Sequence, residues 1–247
     1  MKQITEDIIE KWKNTIRCMD TLEGMKMLPD RSFDLVIADP PYGISRDLNC
    51  KDKKLGTTAK LNFNFGEWDK FDMEWFSEAI KKTKGWIVTF CAKKDIGKYW
   101  DALEKQDFIA IDSAVWLKPD PLPLNAKTRF LNAWEAMVIG KRPGSYFGSN
   151  YSHNVFKYQA PKGKGRIHPT QKPLKLIKEI VQTTAPPGGI VLDPFMGSGT
   201  TAVACKELGI NFIGFEIDKE YFKKANERLR ESSPDKKLED FNRPNQG

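Results

Sequence analysis

Two spacings alternate along the chain. Short runs of consecutive apolar residues, such as Phe33-Asp34-Leu35-Val36-Ile37-Ala38 and Trp86-Ile87-Val88-Thr89-Phe90, are separated by stretches in which apolar residues recur every three or four positions. The runs read as strands buried on both faces and the stretches between them as amphipathic helices. This pattern predicts strands at 15–18, 33–38, 86–90, 108–117, 136–139, 190–192 and 211–215, and helices at 20–28, 72–84, 93–106, 174–184, 200–208 and 218–231. Strands alternating with helices predict an α/β fold, a mostly parallel twisted sheet with helices on both faces. No internal repeat interrupts it, so 1–231 is expected to form one domain, with the polar stretch 232–247 as a flexible tail.

Two turns at predicted strand ends stand out. Ligands of open α/β sheets bind beyond the carboxyl ends of strands. After 33–38 comes Asp39-Pro40-Pro41-Tyr42-Gly43; two prolines cannot continue a sheet ladder, so the chain leaves the sheet there in extended form. Asp39 and the Pro40 carbonyl then form a fork of acceptors suited to an exocyclic amine, with the Tyr42 ring as a flat surface on which a base can stack. After 190–192 comes Asp193-Pro194-Phe195-Met196-Gly197-Ser198-Gly199-Thr200. Its glycines permit close backbone approach and positive φ, and the helix that follows points free N–H groups at the site. No lysine precedes Thr200, so this is not a phosphate-binding P-loop, and Glu216 lies at the next strand end, where dinucleotide folds receive ribose hydroxyls. The loop suits a ribose-bearing ligand without a strongly anionic phosphate.

Charge and cysteine content narrow the picture further. Among 247 residues, 40 Lys and Arg against 33 Asp and Glu leave a net charge of +7, which suits a polyanionic partner without requiring one. No apolar run reaches the ~18 residues of a membrane span, and the first residues lack the apolar core of a signal peptide. The four cysteines (18, 50, 91 and 205) form no CxxC pair and there are two histidines, so neither a disulfide framework nor a metal is expected, and the cytoplasm is the expected location. Segment 141–172 holds seven basic residues (Lys141, Arg142, Lys157, Lys162, Lys164, Arg166 and Lys172) and no acid, with five aromatics interleaved. Segment 44–70 is long, polar and irregular, as a lid or binding loop would be, and carries Arg46 and Lys60.

Taken together, these residues resemble the SAM-dependent amino-methyltransferases of DNA, most closely the β-class adenine-N6 group. The similarity spans about 15–230. It rests on Asp39 to Gly43, Asp193 to Thr200, and His168-Pro169-Thr170-Gln171-Lys172-Pro173, with Gly66 to Lys70 and Trp116 to Pro119 matching further segments. The proline turn precedes the glycine turn, which is the permuted β-class order. The resemblance implies a circularly permuted Rossmann-like methyltransferase fold with a small inserted recognition segment at 141–172. It also implies S-adenosyl-L-methionine (SAM) as cofactor and methyl transfer to the N6 amine of an adenine flipped out of double-stranded DNA. Asp39, Pro40, Pro41 and Tyr42 would be catalytic. Asp20, Asp39, His168, Thr170, Gln171, Lys172, Asp193, Pro194, Phe195, Gly197, Ser198, Gly199, Thr200, Thr201, Glu216 and Asp218 would hold the cofactor, His168 as pocket structure and not as an acid or base. Arg46, Lys60, Lys118, Arg129, Lys141, Arg142, Lys157, Lys162, Lys164 and Arg166 are the candidate DNA contacts. A homodimer and a cognate restriction endonuclease are the further partners the resemblance suggests. An N4-cytosine methyltransferase, which more often has Ser in place of Asp39, and a catalytically silent DNA-binding relative are the competing readings. No cysteine follows a proline, so C5-cytosine chemistry is excluded.

Overall fold

Among the described residues, eight strands form one sheet in the order β1-β8-β7-β2-β3-β5-β4-β6. A computed structural model describes residues 2–42, 73–121, 130–149, 151–163, 166–168 and 170–233. In chain order the elements are α1 (Lys2–Trp12), β1 (Thr15–Cys18), α2 (Thr21–Met27), β2 (Phe33–Ala38), α3 (Glu74–Lys82), β3 (Thr83–Cys91), a 3-10 turn (Lys93–Asp95), α4 (Ile96–Glu104), β4 (Ile109–Leu117), β5 (Trp134–Lys141), β6 (Val155–Lys157), α5 (Leu174–Thr184), β7 (Ile190–Asp193), α6 (Thr200–Leu208), β8 (Asn211–Glu216) and α7 (Lys219–Glu231). β5 alone runs against the rest: it pairs antiparallel with β3 and β4, and the other five pairings are parallel.

The strands are apolar on both faces because each face has its own helical layer. Along β2, Leu35 and Ile37 join the core beneath α5 and α6, with Leu176, Ile177, Val181, Ala202 and Cys205. Phe33, Val36 and Ala38 point the other way, into the core of Met25, Phe76, Ala79, Tyr99 and Leu103 from α2, α3 and α4. From Leu35 onward, alternation with a period of two sends neighbouring apolar residues to opposite layers, and an irregularity between Phe33 and Leu35 places those two on opposite faces.

The expected architecture is observed, with two elements added. α1 was not foreseen; its Trp12 is buried and meets Phe215 edge to face at 6.1 Å. β6 was not foreseen either, since three residues are too few to show an alternation. β3 also starts earlier than expected, before Gly85. A Cβ at Gly85 would lie 2.0 Å from the Asp34 carbonyl oxygen, so only glycine lets β3 close on β2 there.

The register fixes which groups share a rim. β2 pairs with β7 (Val36 opposite Leu192), β7 with β8 (Asp193 opposite Gly214) and β8 with β1 (Cys18 opposite Glu216). The carboxyl ends of β1, β8, β7 and β2 therefore lie in a row, with the amino end of β5 and the carboxyl ends of β4 and β6 further along it. Both turns singled out above open onto this one rim.

Candidate active site

At that rim lies a cavity of about 380 Å³. The glycine turn builds one wall. Gly197 and Gly199 adopt φ of +52° and +73°, which side chains rarely allow. A Cβ on Gly197 would meet nothing closer than 3.9 Å, so its open side belongs to the cavity. Gly199 differs: a Cβ there would come within 3.0 Å of the Ala225 Cβ, and the residue does not line the cavity. Gly199 is expected to contact the cofactor; what the structure gives it is the fit of the turn against α7.

Carboxylates complete this wall. Glu216 accepts the Gly197 N–H at 2.7 Å through one oxygen and the Asp218 N–H at 2.8 Å through the other. Each oxygen keeps a lone pair for a ligand hydroxyl. Burial raises the Glu216 carboxyl above its ordinary range, with the backbone donors opposing. Asp193 accepts the Phe195 N–H at 2.9 Å, and burial pushes it up to about 7. Asp218 and Asp20 line the cavity and also cap α7 and α2, each accepting two backbone N–H groups. The Thr21 hydroxyl donates to the Pro194 carbonyl at 2.5 Å, tying α2 to the turn.

The proline turn builds the other wall with side-chain charge. Asp39 Oδ1 accepts the Tyr42 hydroxyl at 2.6 Å, and Asp39 Oδ2 accepts Lys172 Nζ at 2.5 Å. Lys172 also pairs with Glu135 Oε2 at 3.2 Å, and Glu135 Oε1 pairs with Lys118 at 2.5 Å. Four charges of alternating sign therefore run from the cavity along the rim. Burial raises the Asp39 carboxyl, Lys172 opposes that rise and Glu135 adds to it. Burial also works against the Lys172 ammonium, yet its two carboxylates outweigh it and hold its pKa above the ordinary value. Glu135 stays below the ordinary carboxylate range, because Lys172 and Lys118 together overcome its burial.

The segment before α5 closes the cavity. His168 meets Tyr221 edge to face at 4.2 Å, and burial, Lys172 and Arg166 hold it down to about 4, so it is neutral and structural. Gln171 accepts the Ile167 N–H at 2.9 Å, which fixes the turn.

Every candidate catalytic residue and every candidate cofactor residue except Gly199 lines this cavity. Ser198 and Thr200 do so with hydroxyls 3.0 Å apart, and Arg228 donates to the Ser198 carbonyl at 3.0 Å and to the Thr200 hydroxyl at 2.9 Å. Arg228 and Glu135 were not foreseen. Arg228 follows Tyr221 and Ala225 at helical spacing, and a cation on that inward stripe was the available signal. Glu135 lies in a strand with no local sign of its partners.

The candidate DNA contacts divide. Arg142 is corrected: it is 3% exposed and donates to the Thr83 and Ile80 carbonyls, which makes it structural. Lys141 is opposite Trp86, at the amino end of β3, and so lies on the far rim from Asp39. Lys118 is committed to Glu135, and Lys162 is paired with Asp120. Lys157, exposed at the carboxyl end of β6, and Arg166 are on the cavity side of the molecule or beside it. Arg46, Lys60, Arg129 and Lys164 lie outside the described residues, as do Gly43, Pro169 and the segment 44–70.

The lining also fits a particular ligand. Among the described residues, Asp20, Asp39, Asp193, Glu216 and Asp218 face Lys172 as the one lysine or arginine of the lining, and Lys172 is already shared by two acids. Such walls favour a ligand with hydroxyl and ammonium donors and positive charge, and they disfavour phosphate.

Comparison with known proteins agrees. The family model of N6/N4 DNA methylases matches residues 33–227. The type II methyltransferase M.HinfI of Haemophilus influenzae is 32% identical over 92% of this chain and 71% of its own length. The type II methyltransferase M2.DpnII of Streptococcus pneumoniae is 28% identical over 92% of this chain and 93% of its own. Among solved structures, the M1.HpyAVI–SAM complex superposes with a TM-score of 0.66 at 31% identity, covering 87% of this chain and 98% of that one. The cytosine-N4-specific PvuII methyltransferase shares the fold at 19% identity, with a TM-score of 0.67 over 91% of this chain and 89% of its own. SAM, with its sulfonium, ammonium and ribose hydroxyls and no phosphate, is the ligand these walls suit. Fold, cavity and relatives converge: this chain belongs to the DNA methylase family, the SAM-dependent DNA methyltransferases.

Proposed function

We propose that the chain methylates the exocyclic N6 amine of an adenine flipped out of double-stranded DNA. The observation that carries this reading is the meeting of the proline and glycine turns in one cavity, Asp39 on one wall and Gly197 and Glu216 on the other. When bound, SAM supplies a methyl group made electrophilic by its sulfonium. The remaining work falls to the protein. An adenine amine is a weak nucleophile because its lone pair is delocalised into the ring. Accepting its N–H bonds at Asp39 and at the Pro40 carbonyl withdraws the lone pair from the ring and aims it, and alignment is the larger effect, worth several kcal/mol. Tyr42 and Lys172 each hold one oxygen of Asp39, so the carboxylate cannot swing away. The tethered Tyr42 ring still offers its face to the base, recovering part of the few kcal/mol that flipping costs.

Asp39 favours adenine over cytosine in this reading. A restriction–modification setting in the cytoplasm fits the type II names of the two relatives; among the described residues no helix is long and apolar enough to cross a membrane. Incubation with SAM and mixed-sequence duplex DNA, followed by digestion to nucleosides and mass analysis, tests the reading. N6-methyladenine is the expected product, N4-methylcytosine would transfer the assignment to the competing chemistry, and no product with SAM bound would mark a silent relative.

A further inference from the structure

The charge row that starts at Asp39 is more elaborate than holding one carboxylate requires. Glu216, two strands away across β7, is held by backbone N–H groups, among them those of Gly197 and Asp218. Asp39 instead depends on a buried ammonium, 6% exposed, which a second buried carboxylate also claims. Lys172 lies over the Phe90 ring at 4.7 Å and beside Tyr42 at 5.9 Å, so it is confined to this position. Breaking such a buried pair is costly because it strands a charge.

We propose that Lys172 and Glu135 are positioning residues for the methyl-transfer step, acting as opposed controls on Asp39. The Lys172 ammonium keeps the Asp39 carboxylate charged and aimed. Glu135 takes part of that ammonium, so Asp39 is not closed off as a complete ion pair and keeps the acceptor strength that an amine N–H requires. Lys118 in turn anchors Glu135. The inference rests on the reading of Asp39 as the amine acceptor.

Among the described residues, the other groups around Asp39 leave these two in control. Tyr42 is held in its neutral form by burial and by Asp39, and it donates. Cys91 is pushed up to about 12 by burial, and Tyr99 is raised as well, so both are neutral. His168 near Lys172 is neutral. Asp193 on the neighbouring strand adds a negative charge when ionised, and Lys93, lowered by burial and by Lys118 against the pull of Glu135, lies over the Trp134 ring at 3.8 Å.

Removing the two controls must therefore shift the acid limb of the reaction in opposite directions. The measurement is the single-turnover rate of labelled methyl transfer to mixed-sequence duplex DNA at saturating SAM, across pH. K172M leaves Asp39 buried without its counter-charge; its acid limb moves up, the rate at neutral pH falls about tenfold or more, and alkaline pH restores much of it. K172R keeps the charge and keeps the limb near its original place. E135Q, close to isosteric, gives Asp39 the whole ammonium, and its limb moves down. Limbs that move together, or stay fixed while only the amplitude drops, overturn the inference. If K172M does not fold, as judged by its melting curve, the direction of E135Q decides. D39N in the same series separates the two readings: an active D39N removes the acceptor role itself, whereas an inactive D39N with unopposed limbs removes only this inference.

Discussion

The turn after β2 and the turn after β7 end neighbouring strands and face one cavity, yet they hold their carboxylates by unlike means. On the glycine side Glu216 is aimed by backbone N–H groups, and Asp193 by the Phe195 N–H together with the Thr201 hydroxyl, donors that are all neutral. On the proline side Asp39 is aimed by a tyrosine hydroxyl and an ammonium. Backbone donors suit a site that binds one cofactor in one pose. A side-chain counter-charge suits a carboxylate whose acceptor strength must match a reacting amine. The lesson is that burial raises all three acids, and the partner decides what each one is for.

The largest test of that division is Asp39→Ala. The comparison requires methyl transfer to fall at least about a thousandfold while SAM affinity stays within a few-fold, because the proposed function puts Asp39 on the amine side; removing alignment of the reacting pair has effects of that size. Radiolabel transfer and calorimetric SAM titration read the two quantities. Turnover near the original rate would merge the two walls into one binding site.

Asp193→Asn probes the other wall through stability. The Asp193 carboxyl is pushed from 3.8 to about 7 by burial, so the folded protein holds that proton more tightly than the unfolded chain. Stability attributable to this group is then full below about 3.8 and falls as pH rises through about 7. Asn retains an oxygen for the Phe195 N–H and carries no charge. Above pH 7 the variant should therefore be more stable, by up to about 4 kcal/mol, while binding SAM less tightly. In the original protein SAM affinity should rise as pH rises through about 7, since a cationic ligand favours the ionised acid. Chemical denaturation at pH 5 and pH 8 gives the first result; an Asn variant that gains nothing at pH 8 contradicts it.

Glu216→Ala is smaller in reach. It removes acceptors for a ligand hydroxyl and frees the Gly197 N–H, so SAM affinity should fall about tenfold to a hundredfold, the scale of hydrogen bonds to a charged group. The fold should survive, because Glu216 is only partly buried and the open side of Gly197 belongs to the cavity. Unchanged affinity in a SAM titration removes Glu216 from the site.

Which parts of this arrangement can be read in one dimension follows from its geometry. Asp39-Pro40-Pro41-Tyr42 and Asp193 to Thr200 are visible because each packs its chemistry into contiguous residues at a strand end. Gly85 explains a close strand approach only once Asp34 is known to lie opposite, 51 positions earlier. Glu135 joins Lys172 across 37 positions and Lys118 across 17, through a strand that runs antiparallel to its neighbours, and no local spacing signals such a meeting. Segment 141–172 shows the opposite failure. Its basic residues are contiguous in sequence, but β5 carries Lys141 and Arg142 to one rim and β6 returns Lys157 to the other. Composition summed over a segment that crosses the sheet mixes two surfaces.

That split yields the smallest effect and a direct check on the rim assignment. Lys157 and Lys141 are both lysines at strand ends, on opposite sides of the same sheet. Lys157 is exposed on the side of the proline turn, where it would meet the phosphates beside a flipped base. Lys141 lies with its ammonium 5.5 Å from the centre of the Trp86 ring, on the far side. A lysine that neutralises one phosphate contributes about one unit to the slope of log affinity against log salt. Lys157→Ala should flatten that slope by about one and weaken binding a few-fold, and Lys141→Ala should leave both unchanged. Fluorescence anisotropy with a mixed-sequence duplex over a salt series measures the pair under one set of conditions. Equal losses in the two variants would mean that DNA touches both rims, and the far side of the sheet would then have to be counted as binding surface.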